Sequence, residues 1–376
     1  CTIFGINWKI IRKIMRENTG KVVLVGAGPG DTGLLTLKGE KYIKQADCLV
    51  YDRLSSPEFL SMAKAGCELI YVGKENHKHV MKQDAINELL YELVVRLKGG
   101  DPYVFGRGGE EALYLVDRNV EVEVVPGVSS SVAALAAAGI PITHRGIAKG
   151  FQVITAHSRK DEEADIDYSL LTDETITCVF LMGLAHVKSI AAGLMKAGRR
   201  ADTPAAVISN GTLAAQRKCI GTLADIGEKI EEAKLTSPAI IVVGDVVSPN
   251  DRLDFFEKRP LFGRKITVPY IKTNELIAKL QQLGADVTPV KTGIINPIII
   301  PEFADKVRSA DWIVFTSKNG VRSFFYNLEL AGADIRLIAN ARFAVVGKAT
   351  EKELAKHHIN ADIIPAEQTG KGLAGE

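Results

Sequence analysis

The chain has 376 residues, with 47 basic and 45 acidic side chains, a net charge of +2 and 46% hydrophobic content. That length holds two or three domains, and the balanced charge advertises no nucleic acid or other polyanion. Five scattered cysteines (Cys1, Cys48, Cys67, Cys178, Cys219) form no Cys-x-x-Cys pair, which argues against a disulfide framework or a zinc site and fits a reducing cytoplasm. No apolar run approaches the roughly 18 residues of a membrane span.

Residues 1–19 do not share the pattern of the rest of the chain. Ile3, Phe4, Trp8, Ile10, Ile11 and Ile14 are interleaved with Lys9, Arg12, Lys13 and Arg16. Such a pattern suits either a basic amphipathic helix on a membrane surface or dispensable sequence ahead of a start at Met15. It lacks the unbroken apolar core of a signal peptide.

From Lys21 the chain reads as βα alternation. Val22–Val25 is an expected strand, Gly26–Asp31 a loop, Leu34–Gln45 a helix, and Cys48–Tyr51 a second strand that ends at Asp52. A dinucleotide fingerprint does not fit, because Asp31 stands where the third glycine belongs and Pro29 removes an amide that a pyrophosphate would use. No Gly-Lys-Ser/Thr is present, so a P-loop is excluded. Strand Leu69–Val72 then ends at Gly73-Lys74. His77 and His79 alternate without a third ligand candidate, so they read as surface or substrate-facing residues and no metal is expected.

The most informative stretch is 94–111. Val94–Leu97 is an apolar strand, Gly99-Gly100-Asp101-Pro102 breaks it, Arg107 lies in a second glycine cluster, and Glu110-Glu111 suit a helix start. The loop therefore lies at a strand's carboxyl end, where open α/β sheets bind ligands. If the sheet is parallel, Asp52, Lys74 and this loop share one rim. One junction is physically odd. A helix expected over Asp84–Leu93 runs straight into the strand, where about 2–6 loop residues are normal. The expectation is a loop missing from the sequence as given, or a remodelled element.

Val120–Val125 is the next expected strand, and Pro126–Ser131 opens an alanine-rich helix with a serine-lined N-terminus, another ligand-facing edge. A second lobe repeats the alternation, with strands Phe151–Thr155, Thr175–Leu181, Ala205–Ile208 and Ala239–Val243 and helices Ala185–Ala197 and Asp225–Ala233. Met182-Gly183 and Asn210-Gly211-Thr212 end two of its strands. Ser248–Gly263 reads as a linker, and a new α/β unit begins at Lys265–Pro269.

Several motifs together resemble the uroporphyrinogen-III C-methyltransferases of the tetrapyrrole methylase fold over about residues 20–248. They are Val25–Asp31, Leu34–Gly39, Val50–Leu54, Val72–Lys74, Arg96–Glu111, Val124–Ser129, Pro141–Arg145, Phe180–Leu184 and Asn210–Thr212. The resemblance implies two α/β lobes (20–127 and 128–248) with the active site in the cleft, and a homodimer. It implies methyl transfer from S-adenosylmethionine to C2 and C7 of uroporphyrinogen III, giving precorrin-2 for sirohaem or cobalamin. By position it places cofactor contacts at Pro29, Gly99, Gly100, Asp101, Val104, Ser129, Ser130, Met182 and Gly211. The proton acceptor falls on Asp52 and the donor on Lys74. The substrate carries eight carboxylates, so cleft cations are expected, with Arg107 and Arg145 first and Arg53 and His144 behind them. Members of the family carry a short turn at the 93–94 junction, which this sequence lacks.

Residues 263–376 resemble uroporphyrinogen-III synthase, which catalyses the preceding step, after a linker at 249–262. Thr316, Ser317 and Asn319 would face that enzyme's substrate. The resemblance reaches about half of that family's length. The expectation is therefore a bifunctional gene product, of which the chain as given is competent for methylation only. Open alternatives are a sister methylase of the same fold, a non-catalytic tetrapyrrole-binding module and, more distantly, a dinucleotide oxidoreductase.

Overall fold

In the computed structural model, residues 2–3, 6–7, 20–52, 57–72, 93–156, 165–271 and 275–376 are described. Of the N-terminal 19 residues this leaves only a short antiparallel pair, Thr2–Ile3 with Ile6–Asn7. The expected helix at 84–93, His77 and His79 lie outside the described residues except for Leu93, which opens a strand. The chain forms two compact units, Cys1–Thr267 with Glu275–Thr288, and Val268–Asn274 with Pro289–Glu376.

The first unit holds two lobes. In the first, β1 (Lys21–Gly26), β2 (Cys48–Tyr51), β3 (Glu68–Tyr71), β4 (Leu93–Lys98) and β5 (Glu121–Val125) form one sheet in the order β3-β2-β4-β1-β5. Every pairing is parallel. Such a sheet is covered on both faces, which is why β1 and β4 are runs of buried residues rather than alternations. Helix α1 (Leu37–Gln45) starts three residues later than the sequence suggests, because a single 3₁₀ turn at Thr32–Leu34 intervenes and Thr36 caps the helix through Oγ1. Helix α2 (Gly108–Val116) lays Ala112 and Leu115 on the face formed by Val22, Leu24, Cys48, Val50 and Val94.

The second lobe repeats the strand–helix alternation, with one further strand and a mixed sheet. Its strands are β6 (Gly150–Thr155), β7 (Ile176–Leu181), β8 (Pro204–Ser209), β9 (Arg217–Thr222) and β10 (Ala239–Val243), ordered β9-β8-β10-β7-β6. Only β6 and β7 pair in parallel, and the other pairings are antiparallel. Strand β9 was not expected, because Arg217-Lys218-Cys219-Ile220-Gly221-Thr222 is polar and edge-exposed, so it carries little apolar alternation. Helix α3 (Ser130–Ala137) packs Ala134 and Leu135 on one face of this sheet, and α4 (Val187–Ala197) and α5 (Ile226–Ala233) cover the other.

Arg199 pins the α4 side of this lobe. It is 3% exposed, and it donates to the carbonyls of Leu171, Asp173 and Ile176 at 2.7–2.9 Å. Replacing it by methionine keeps the stem but strands those carbonyls. Arg199→Met is expected to destabilise the unit by about 3 kcal/mol, read as a lower denaturant midpoint at unchanged slope.

The stretch read as a linker is packed against the second lobe. Asn250 and Phe256 are buried, Asn250 donates to the Ala138 carbonyl, and Lys218 pairs with Asp254 at 2.6 Å. Beyond it, β11 (Lys265–Tyr270) and β12 (Asp286–Lys291) form a two-stranded sheet.

In the second unit, β13 (Trp312–Phe315) and β14 (Arg342–Val345) pair in parallel, flanked by α6 (Lys318–Leu330) and α7 (Lys348–Ala355) around Phe303, Ile313, Phe315, Val321 and Leu354. Arg322 grips Glu353 with two hydrogen bonds, of 2.6 and 2.9 Å, and Lys356 adds a third. Those bonds, Arg322's above all, hold the Glu353 carboxyl down at about 2 against an ordinary 4.5. A carboxyl whose folded value is depressed stabilises the fold above its unfolded value. That contribution is lost as pH falls from about 4.5 towards 2. Stability of this unit, followed through Trp312 fluorescence, should therefore fall over that window, and Arg322→Met should remove most of the effect, leaving the part due to Lys356.

Candidate active site

The parallel sheet brings Asp52 and the 99–107 loop to one rim. Gly26 pairs in register with Lys98, and Val50 with Arg96, so Asp52, Gly26 and the 99–107 loop leave the sheet at one level. Lys74 and Arg53 lie outside the described residues. The loop after β1 and the loop after β4 are joined by reciprocal backbone bonds, Gly28 amide to Gly100 carbonyl at 3.2 Å and Gly100 amide to Gly28 carbonyl at 2.7 Å.

Three loops converge where side chains cannot. A Cβ on Gly127 would lie 2.2 Å from the Gly100 carbonyl oxygen and 2.6 Å from Gly26 Cα. Asp101 locks the junction. Its Oδ2 accepts from the Gly127 amide at 3.0 Å and its Oδ1 from the Tyr103 amide at 2.8 Å. The carboxylate thus ties the β4 loop to the β5 loop, in addition to any acceptor role towards a ligand. The obstructing atoms are backbone and cannot rotate away. Gly127→Ala is therefore expected to cost about 3 kcal/mol, checked by the denaturant midpoint.

The other predicted contacts are distributed around this junction. Ser129 caps α3, its Oγ accepting from the Ser131 amide, and Ser130 is the first residue of that helix. Gly211 sits where a Cβ would meet Ala134 Cβ at 2.3 Å, so the 210–212 turn lies directly on α3. Thr212 Oγ1 accepts from the Asp31 amide at 3.3 Å, linking that turn to the loop bearing Pro29. Val104, Phe105 and Met182 expose large apolar surface at the strand ends.

Phe105, Arg107, Met182, Asn210 and Thr212 all have φ between 50° and 73°. Non-glycine residues in this region cost about 1–3 kcal/mol each and persist where the surroundings dictate them, often at functional sites. Of the predicted substrate cations, Arg107, His144 and Arg145 are exposed. Arg107 is bonded to Glu110 at 2.9 Å, while His144 Nδ1 meets the Arg145 carbonyl in a solvent-facing turn. A nearby cavity of about 190 Å³, lined in part by Gly30, Asp31, Thr212 and Arg259, is too small for a tetrapyrrole.

Sequence reading missed a buried charge cluster beneath this rim. Arg96, Lys98 and Glu111 are 5, 4 and 2% exposed. Lys98 Nζ donates to Glu111 Oε1 at 2.5 Å, Arg96 Nε lies 3.7 Å from Glu111 Oε2, and Arg96 Nη2 donates to Asp52 Oδ2 at 3.1 Å. Burial pushes the Lys98 ammonium below its ordinary value, Arg96 adds to that, and Glu111 opposes it. The signal was available, because two cations in the central strand of a two-sided sheet demand buried partners. Gly26 and Gly127 were missed as well, since close backbone approach leaves no mark on spacing.

Fold and rim define a two-lobed α/β protein whose first lobe places Asp52 and the 99–107 loop at the carboxyl edge of a parallel sheet. The chain belongs to the tetrapyrrole (corrin/porphyrin) methylase family, whose model matches residues 21–227. The model of uroporphyrinogen-III synthase HemD matches 274–376. The chain is 43% identical to a porphyrin biosynthesis protein HemD of Ruminiclostridium josui, over 94% of this chain and 73% of that one. It is 50% identical to a uroporphyrinogen-III C-methyltransferase of Methanocaldococcus jannaschii, over 62% of this chain and 99% of that one. A uroporphyrin-III C-methyl transferase of Thermus thermophilus, solved with S-adenyl homocysteine, superposes with a TM-score of 0.51 at 38% identity, covering 61% of this chain and 93% of that one. Among the described residues, no His, Cys, Asp and Glu side chains group as a metal site, and no helix is long and apolar enough to cross a membrane.

Proposed function

We propose that this chain is an S-adenosylmethionine-dependent uroporphyrinogen-III C-methyltransferase, acting at C2 and C7 to give precorrin-2. The observation that carries the reading is the Gly26–Gly100–Gly127 junction locked by Asp101, in a chain of the tetrapyrrole methylase family. The segment that matches the synthase family supports the same substrate, because that enzyme's product is this one's methyl acceptor.

The residues fit the cofactor. Three loops packed backbone to backbone at Gly26, Gly100 and Gly127 fix the neighbouring turns, so that backbone groups of Pro29, Gly99 and Gly100, with Gly211 from the second lobe, can approach a ligand. Ser129 and Ser130 bring a helix N-terminus, and Val104 and Met182 offer apolar surface for a nucleoside. When bound, S-adenosylmethionine supplies a sulfonium methyl group with a good leaving group. The chain's own work is then to position the pyrrole carbon and to remove a proton from the alkylated ring. Asp52, half-buried and held by Arg96, is the acceptor, and Lys74 is the donor that the family resemblance assigns. Arg107, Arg145, Arg53 and His144 hold the substrate's carboxylates. The enzyme is a cytoplasmic homodimer that works without a metal.

The cofactor assignment is tested by calorimetric titration with S-adenosylhomocysteine. One site per chain is expected, and no binding would overturn the reading. Binding that persists with no methylation of uroporphyrinogen III would favour a sister substrate of the same fold.

A further inference from the structure

Period-two geometry puts Cys48, Val50 and Asp52 of the β2 strand line on one face of the sheet, with Val94, Arg96 and Lys98 of β4 beside them. That face lies under α2, and Glu111 descends from α2 onto it. Within this cluster Arg96 has three engagements. Its Nη1 donates to the Leu97 carbonyl at 2.5 Å, its Nη2 to Asp52 Oδ2 at 3.1 Å, and its Nε faces Glu111 Oε2 at 3.7 Å. A planar guanidinium only 5% exposed cannot turn without breaking at least one of them.

We infer that Arg96 is a positioning residue for the methylation reaction: it holds the Asp52 carboxylate at the angle from which the proton is taken. This rests on the reading of Asp52 as the proton acceptor. Glu111 completes the device. Its other oxygen binds Lys98, the last residue of β4, so one carboxylate on α2 holds the root of the 99–107 loop and lies beside the guanidinium at 3.7 Å. The cluster therefore connects the acceptor to the loop that forms the cofactor cradle, and none of its three buried members needs to touch either ligand.

A lysine in place of Arg96 keeps the charge but has no fork, so it cannot serve Asp52, Glu111 and the Leu97 carbonyl together. Arg96→Lys, and Arg96→Gln as the second variant, should lower kcat by about tenfold or more, with the Kd for S-adenosylhomocysteine within about threefold of the parent. The discriminating result is a double-mutant cycle. A residue acting through Asp52 adds nothing once Asp52 is disabled, so Arg96→Lys should leave the kcat of Asp52→Asn unchanged within about twofold.

Losses that multiply in the cycle, a kcat at the parent level in both Arg96 variants, or losses matched by weaker S-adenosylhomocysteine binding would overturn the inference. So would failure of both variants to fold, which would make Arg96 structural only. If Asp52→Asn retains the parent kcat, the acceptor reading itself falls and takes this inference with it. If Asp52→Asn is slow while Arg96→Lys is fully active, only the role of Arg96 is lost.

Discussion

Asp52→Asn is expected to cut kcat by about a hundredfold or more while leaving cofactor affinity intact, as removal of a positioned general base does. The amide is nearly isosteric with the carboxylate and still offers one oxygen to Arg96 Nη2, so the local packing survives. What it cannot do is take a proton. On the proposed reading, methyl transfer depends on positioning by the loops joined at the glycine junction, which the substitution leaves in place. The ring cation left after alkylation is quenched only when a proton departs, and Asp52 is the carboxylate at the rim nearest the Arg96 anchor. Single-turnover kinetics with S-adenosylmethionine, together with titration of S-adenosylhomocysteine, check the separation. A proportional loss of binding would mean that Asp52 shapes the cofactor site instead.

Asp101→Ala has the opposite signature. It removes two charge-assisted bonds to backbone amides, those of Gly127 and Tyr103. Such bonds are worth about 1.5–3 kcal/mol each. Their loss frees the β5 loop from the β4 loop at the point where Gly26, Gly100 and Gly127 meet. The expected result is loss of measurable S-adenosylhomocysteine binding, with a fall in stability of about 3 kcal/mol. Asp101→Asn should fall between, since its amide keeps one acceptor but turns a donor towards one of the two N–H groups. Calorimetric titration and denaturant unfolding of both variants check this. Parent-level binding by Asp101→Ala would show that the loops hold their shape without the carboxylate.

The two proposed residues differ in how openly the sequence announced them. The rim was legible because its parts are local. Apolar runs ending in Asp52 and in Gly99-Gly100-Asp101 mark strand ends, and parallel strands put their ends together. The cluster beneath it was not legible in that way. Arg96 and Lys98 stand in an apolar strand, but the partner they share, Glu111, comes from the following helix, whose acidic start is explained equally well by the helix dipole. Asp101 was read as a ligand for the cofactor, and its bond to Gly127, 26 residues away, depends on which strands are neighbours.

The second lobe shows a related limit. A buried strand such as β8 reads the same whether its neighbours run parallel or antiparallel. The alternation therefore marks the strands and helices of this lobe but leaves its mixed pairing open. Edge strand β9, with only Cys219 and Ile220 apolar among its six residues, left no periodic trace. The stretch after Val247 has the composition of a linker, yet Asn250, Asp254 and Phe256 find partners on the second lobe that no local pattern specifies.

The most direct test is turnover. Purified chain, S-adenosylmethionine and uroporphyrinogen III are combined without oxygen, and the product is followed by absorbance and mass. The account predicts a product heavier by two methyl groups, and two molecules of S-adenosylhomocysteine formed for each tetrapyrrole consumed. An unmodified tetrapyrrole, from protein that still binds S-adenosylhomocysteine, would contradict it.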